Sequence, residues 1–166
     1  MHRFFIPKDA FQAESVLFPD ESANQIRRVL RLRDGERVAV LDGEGRAFEV
    51  SVLTAGKALI GKIERPLPAD HEVPYQLTLL APLTRREKFE YLLQKCTEAG
   101  VTRFLPTVSE RSLVQDPHDA DEKRSRWEKI LKEAAEQSGR DRIPSLMNAQ
   151  HLREALMIPT SSESIK

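Results

Sequence analysis

Between Arg65 and Tyr75 the hydrophobic period of this chain changes, and that change limits the folds open to it more than any other property. The stretch Pro66-Leu67-Pro68-Ala69-Asp70-His71-Glu72-Val73-Pro74 has no periodicity of its own. Proline lacks an amide N–H and steers the residue before it away from helix, so neither a central strand nor a helix is expected to run through it. Short alternating runs precede it, and strand and helix patterns take turns after it. The expectation is two small units in one α/β chain, a β-barrel over residues 1–68 and an α/β unit over 74–166.

In the first unit, a helix is expected from Asp20, with Ala23, Ile26 and Leu30 on its apolar face. Val38 and Val40, then Phe48, Val50 and Val52, alternate with their neighbours on either side of Asp42-Gly43-Glu44-Gly45. That pattern is a hairpin signature, and a third run, Ala58 to Ile63, follows Gly56. Several short strands with turn residues between them indicate a small barrel or sandwich.

In the second unit, Tyr75 to Ala81 reads as a buried strand. Thr84-Arg85-Arg86-Glu87 has the form of a capping box, opening a helix striped by Phe89, Leu92, Leu93, Cys96 and Ala99 and stopped by Gly100. Val101 to Val108 is a second strand. Asp119 with Glu122 starts another helix, striped by Trp127, Ile130, Leu131, Ala134 and Ala135 and ended by Gly139. Ile143 to Met147 is expected as a third strand and Gln150 to Leu156 as a short helix. Strand-helix alternation of this kind belongs to a parallel sheet.

Composition removes several classes of function. The chain has 166 residues, 40% hydrophobic and 31% charged, which is ordinary for a globular protein. No apolar run is long enough to span a membrane, and Pro7 interrupts the N-terminus where a signal peptide would need its apolar helix, so a cytoplasmic protein is expected. Cys96 is the single cysteine, and His2, His71, His118 and His151 stand far apart, so no metal site is expected. The formal net charge of +0 does not favour a nucleic-acid partner, but the charge is clustered.

Three constellations carry the chemistry that the residues allow. In Arg27-Arg28-Val29-Leu30-Arg31-Leu32-Arg33, alternation from Val29 onward would gather guanidinium groups on one strand face, which suits phosphate oxygens and equally suits a charge-protected barrel edge. Ser109-Glu110-Arg111-Ser112 follows the second strand of the parallel unit, where ligands of open α/β sheets collect; it also reads as an ordinary turn. Glu133 to Arg140 ends the last long helix, with Glu133, Glu136, Gln137 and Arg140 off the apolar stripe. Those side chains suit the polar edge of a base or a solvated helix end. Phosphate-loop and G-x-G-x-x-G motifs are absent from the sequence. From the residues alone the reading is a two-unit protein with a candidate RNA-binding face.

Five blocks of residues go further. His2-Arg3-Phe4-Phe5, Arg28 to Glu36, Gln94 to Val101, Ser109-Glu110-Arg111-Ser112, and Arg126-Trp127 leading into Glu133 to Arg140 follow one another in the chain. Together they resemble the bacterial 16S ribosomal RNA uracil-N3 methyltransferases. The resemblance implies a PUA-like RNA-binding barrel followed by a SPOUT methyltransferase domain with a trefoil knot, using S-adenosylmethionine and working as a homodimer on 16S ribosomal RNA of the small subunit. By the same resemblance, Arg3, Arg28, Arg31 and Arg33 would hold RNA phosphates, while Glu136, Gln137, Ser138 and Arg140, with Arg111, would grip the target region. The Gly-Pro-Glu-Gly-Gly-like loop and the later Leu-Gly and Leu-Arg-rich segment of the family's knot are not in this sequence. The expectation is therefore a chain that stops before the cofactor site, with its cofactor-binding residues beyond Lys166, no assigned base, and no activity alone. The competing reading is a non-catalytic RNA-binding module or fragment.

Overall fold

The computed structural model describes residues 1–68, 70–112 and 114–158. The stop expected at Lys166, ahead of the cofactor site, lies outside the described residues. The chain groups into two compact units, Met1–Glu72 with Ala135–Ile143, and Val73–Ala134 with the residues from Pro144 onward. Residues 135–143, which the sequence pattern places in the second unit, thus group with the first. The first unit is discontinuous along the chain.

That unit is built on one sheet of β1 (Arg3–Phe5), β2 (Ser15–Leu17), β3 (Arg37–Leu41), β4 (Ala47–Ala55) and β5 (Ala58–Leu67), in the order β1-β3-β4-β5-β2. All pairings are antiparallel except β1 with β3. The expected hairpins are present. In the β3–β4 turn, Asp42 accepts from the amides of Glu44 at 2.9 Å and Arg46 at 3.0 Å and from the Arg46 guanidinium at 2.7 Å. Burial pushes the Asp42 carboxyl up, but the Arg46 side chain and the two amides outweigh it and hold it below its ordinary value.

Strand β3 is apolar on both faces. Val38 and Val40 enter a core with Phe4, Ile6, Val16, Ile26, Val50 and Val52. Ala39 and Leu41 meet Phe5, Ala47 and Ala135 on the other side. The alternation expected at Val38 and Val40 describes only the first face, because the returning segment covers the second. Phe4 and Phe18 pack edge to face within the first core, with centroids 6.3 Å apart at 85°, the arrangement that ring quadrupoles favour.

The second unit contains β6 (Thr78–Pro82), α2 (Arg86–Glu98), β7 (Arg103–Val108), β8 (Ser145–Leu146), β9 (Gln150–His151), α4 (Leu152–Ala155) and α3 (Arg124–Ser138) as far as Ala134; α1 (Asp20–Asn24) and the last turn of α3 belong to the first unit. Strand β7 pairs in parallel with β6 along its length, with β8 near its start and with β9 near its end. The expected third strand is therefore a broken one, and the expected helix over 150–156 shortens to Leu152–Ala155 because Gln150 and His151 join the sheet. Strand β6 likewise begins at Thr78, leaving Tyr75 and Leu77 exposed.

Helix starts differ from the sequence pattern in a consistent way. The Thr84 capping box does not form, because α2 begins one residue later, with Arg85 at the N-cap and no side-chain cap bond. Pro19, and not Asp20, is the N-cap of α1. Asp116 accepts from the amide of His118 at 2.9 Å and opens a 3-10 turn, Pro117–Lys123, that precedes α3. A missing cap costs about 1 kcal/mol, whereas each buried large side chain contributes about 1.5–3 kcal/mol. Phe89 and Leu93 on α2, with Trp127 and Leu131 on α3, are buried, so packing decides that these helices form. Phe89 and Trp127 meet with ring centroids 4.6 Å apart.

Candidate nucleic-acid interface

The arginine-rich segment does not form the strand its alternation implied. Helix α1 runs directly into a π-helical turn over Gln25–Val29, where the amide of Leu30 donates to the carbonyl of Gln25 at 2.9 Å. Ile26 is fully buried, and Leu30 and Leu32 pack against the same core. With the apolar residues directed by helix geometry to the core, Arg28, Arg31 and Arg33 lie exposed. Among the described residues their guanidinium groups make no hydrogen bond or ion pair. Arg27 contrasts with them, since it donates to the carbonyls of Lys57 at 2.9 Å and Ala58 at 2.6 Å. The nearby acids are already engaged: Glu36 accepts from the amide of Arg33 at 2.5 Å, and Asp34 accepts from the amide and hydroxyl of Thr54. Val29 stands 72% exposed among the free arginines.

The polar groups after Ala135 have a different arrangement. Glu136 accepts from the amide of Phe5 at 2.9 Å, at the edge of β1. Arg140, 5% exposed, donates to Glu72 at 2.7 Å and 3.2 Å, and Glu72 also accepts from the amides of Asp141 at 3.0 Å and Arg142 at 2.9 Å. Burial raises the Glu72 carboxyl, yet the Arg140 hydrogen bonds and charge and the two amides outweigh it and hold the group below its ordinary value. Asp141 is fully buried and accepts from Arg3 and from the amide of His71 at 2.8 Å. Arg3 also donates to the carbonyl of Arg140. Gln137 and Ser138 are exposed. Of the candidates, then, Arg3, Glu136 and Arg140 are engaged inside the first unit. Glu72 and Asp141 are the partners that the sequence did not single out.

In the second unit the Ser109–Ser112 turn follows β7 directly. Its ends are tied by the Ser109 amide donating to the Ser112 hydroxyl at 2.9 Å and the Ser112 amide donating to the Ser109 carbonyl at 3.0 Å. Arg111 projects from a turn that is fixed, and it is exposed; Glu110 pairs with Arg153 at 3.2 Å. Arg85 is exposed after β6, so β6 and β7 are each followed by a loop bearing an exposed arginine. Glu90 joins α2 to α3 by accepting from Arg126 at 2.5 Å and 2.8 Å and from Arg86 at 3.0 Å. The Arg126 bonds, aided by Arg86 and opposed by burial, hold its carboxyl below the ordinary range. A cavity beneath the 3-10 turn, lined by Pro106, Ala120, Trp127, Leu146 and Met147, has a volume of about 10 Å³. Sites for ligands of cofactor size run to roughly 300–1,000 Å³, so this one does not fit S-adenosylmethionine.

A family model described as an RNA methyltransferase domain matches residues 71–165, and one described as an RNA methyltransferase PUA domain matches residues 18–64. The chain belongs to the ribosomal RNA small subunit methyltransferase E family. The family member of Bacillus subtilis is 29% identical over 94% of this chain, and that of Synechocystis 31% identical over 86%. Among solved structures, the Neisseria gonorrhoeae member bound to S-adenosyl methionine superposes with a TM-score of 0.86 at 31% identity over 97% of this chain. A Legionella pneumophila methyltransferase in complex with the same cofactor gives 0.84 at 26% over 95%. The fold is thus a PUA-like barrel with a SPOUT-type α/β unit. The chain spans 63% of the Bacillus relative, 46% of the Synechocystis relative and 66% of each of the two structures. Among the described residues no helix is long and apolar enough to cross a membrane.

Proposed function

We propose that residues 1–166 form the RNA-gripping and scaffolding portion of a methyltransferase that modifies N3 of a uridine in 16S ribosomal RNA, with S-adenosylmethionine as methyl donor. The observation that supports this most is the free arginine group at the end of α1's π-turn, in a chain whose other unit matches an RNA methyltransferase model. In this reading residues 1–68 are the PUA-like RNA-binding domain and 74–166 the methyltransferase domain. The complete protein works in the cytoplasm as a homodimer on the small subunit, without a metal.

Arg28, Arg31 and Arg33 hold phosphates, because forked donors without internal partners are available to phosphate oxygens. Arg111, Gln137 and Ser138 contact the target region. Arg3, Glu136 and Arg140 act as positioning residues, keeping residues 136–142 in place through Asp141, the Phe5 amide and Glu72. No residue of 1–166 is assigned to cofactor binding.

Two titrations test the reading together. Filter binding of residues 1–166 to a 16S ribosomal RNA fragment should saturate and weaken steeply with salt, since each phosphate contact releases counterions. Calorimetry of the same chain with S-adenosylmethionine should show no binding, with the Neisseria relative as positive control. Micromolar cofactor binding by the short chain would place the methyl-donor site within these residues and overturn the assignment.

A further inference from the structure

Among the described residues Arg31 is the single non-glycine residue with positive φ, at +55°. It occupies the position after a helix end that ordinarily takes glycine. The amide of Leu32 reaches back to the carbonyl of Ile26 at 3.1 Å, closing the helix end around Arg31. This closure is one residue longer than a standard Schellman turn, because the π-turn has inserted a residue into the last coil. Left-handed backbone presses Cβ against the following carbonyl, and glycine escapes that crowding while arginine does not. Nothing inside the protein offsets the strain through the side chain, which is exposed and makes no hydrogen bond or ion pair among the described residues. Gly100 and Gly139, with φ of +100° and +75°, stop α2 and α3 with the residue that the geometry favours.

A residue kept in a sparsely populated backbone region is a pointer to function, provided the outlier is observed first. Resting on the RNA-binding reading given above, we propose that Arg31 is retained at a glycine position because its guanidinium contacts a backbone phosphate of the RNA. The helix end thereby exchanges some fold stability for RNA affinity.

Three variants of the full 166-residue chain separate this inference from the reading beneath it, using a labelled single-stranded oligouridylate as probe. Arg31→Gly should melt higher by roughly 2 °C, as strain is removed, yet bind at least about threefold more weakly and with a salt slope flatter by roughly 0.7. Arg31→Lys keeps both strain and charge, and should melt like the parent and retain most of the affinity. Arg28→Ala with Arg33→Ala reports on the face as a whole. If that pair weakens binding while Arg31→Gly binds as tightly as the parent, the role of Arg31 is overturned and the face stands. If neither change affects binding, the face itself falls. Arg31→Gly melting at or below the parent would overturn the exchange of stability for affinity.

Discussion

The π-turn arginines and the arginines near residue 140 share a residue type and differ in company. Arg28, Arg31 and Arg33 stand beside acids already bound to backbone groups, whereas Arg140 and Arg3 meet the carboxylates of Glu72 and Asp141 inside the first unit. A buried guanidinium needs such a partner, because an uncompensated buried charge costs several kcal/mol; an exposed one does not. Arginine density marks a binding face only where the nearby acids are otherwise engaged.

The strongest way to break this contrast is to remove a buried partner. Arg140→Ala leaves Glu72 half-buried without its guanidinium, and should lower the unfolding free energy by about 3 kcal/mol, read by urea denaturation. A loss below about 1 kcal/mol would show that the pair does not hold the returning segment. The opposite profile is expected on the other side of the comparison. Arg28→Ala with Arg33→Ala should change stability by no more than about 0.5 kcal/mol while flattening the salt dependence of RNA binding by roughly 0.7 per lost contact. Unchanged slopes would make these arginines a solvated edge.

Acid sharpens the contrast further. The folded state lowers the Glu72 carboxyl below its ordinary value of 4.5, so the unfolded chain takes up this proton first as pH falls. The contribution is complete above that value and is lost as pH drops through the lower folded value. Glu72→Gln should therefore reduce the pH dependence of unfolding below pH 4.5. A variant whose acid profile matches the parent would refute this. Asp42→Ala should cost less than the loss of Arg140, about 1 kcal/mol, because a turn that keeps its glycines loses only the hydrogen bonds of one carboxylate. A melting curve that does not move would show the hairpin to be set by Gly43 and Gly45 alone.

The hairpin and the parallel sheet are legible in the sequence because their signals are local: Asp42 to Gly45 encode a turn, and Gly100 ends a helix. The arginine segment misleads for a reason equally physical. One residue inserted by a π-turn shifts the period, so Leu30 and Leu32 reach the core from a helix end and imitate a strand. The Arg140–Glu72 pair joins residues 68 positions apart, and no spacing rule connects a proline-rich linker to the end of a distant helix. The free state of Arg28 and Arg33 is equally invisible in the sequence, since it depends on which neighbour Glu36 and Asp34 satisfy.

The discontinuity of the first unit also sets an order of events during synthesis. Residues 1–72 leave the ribosome before residues 135–143 have been polymerised, and at roughly 5–20 residues per second the intervening stretch takes several seconds. Throughout that interval Phe5, Ala39, Leu41 and Ala47 have no Ala135 to cover them, and Arg3 has no Asp141. A nascent barrel of this kind presents a greasy flank to solvent, so ribosome-arrested chains ending near residue 120 should be cleaved readily by protease or held by chaperones. Chains arrested well beyond residue 143 should resist cleavage, and equal resistance at both lengths would show that the barrel closes without its last segment.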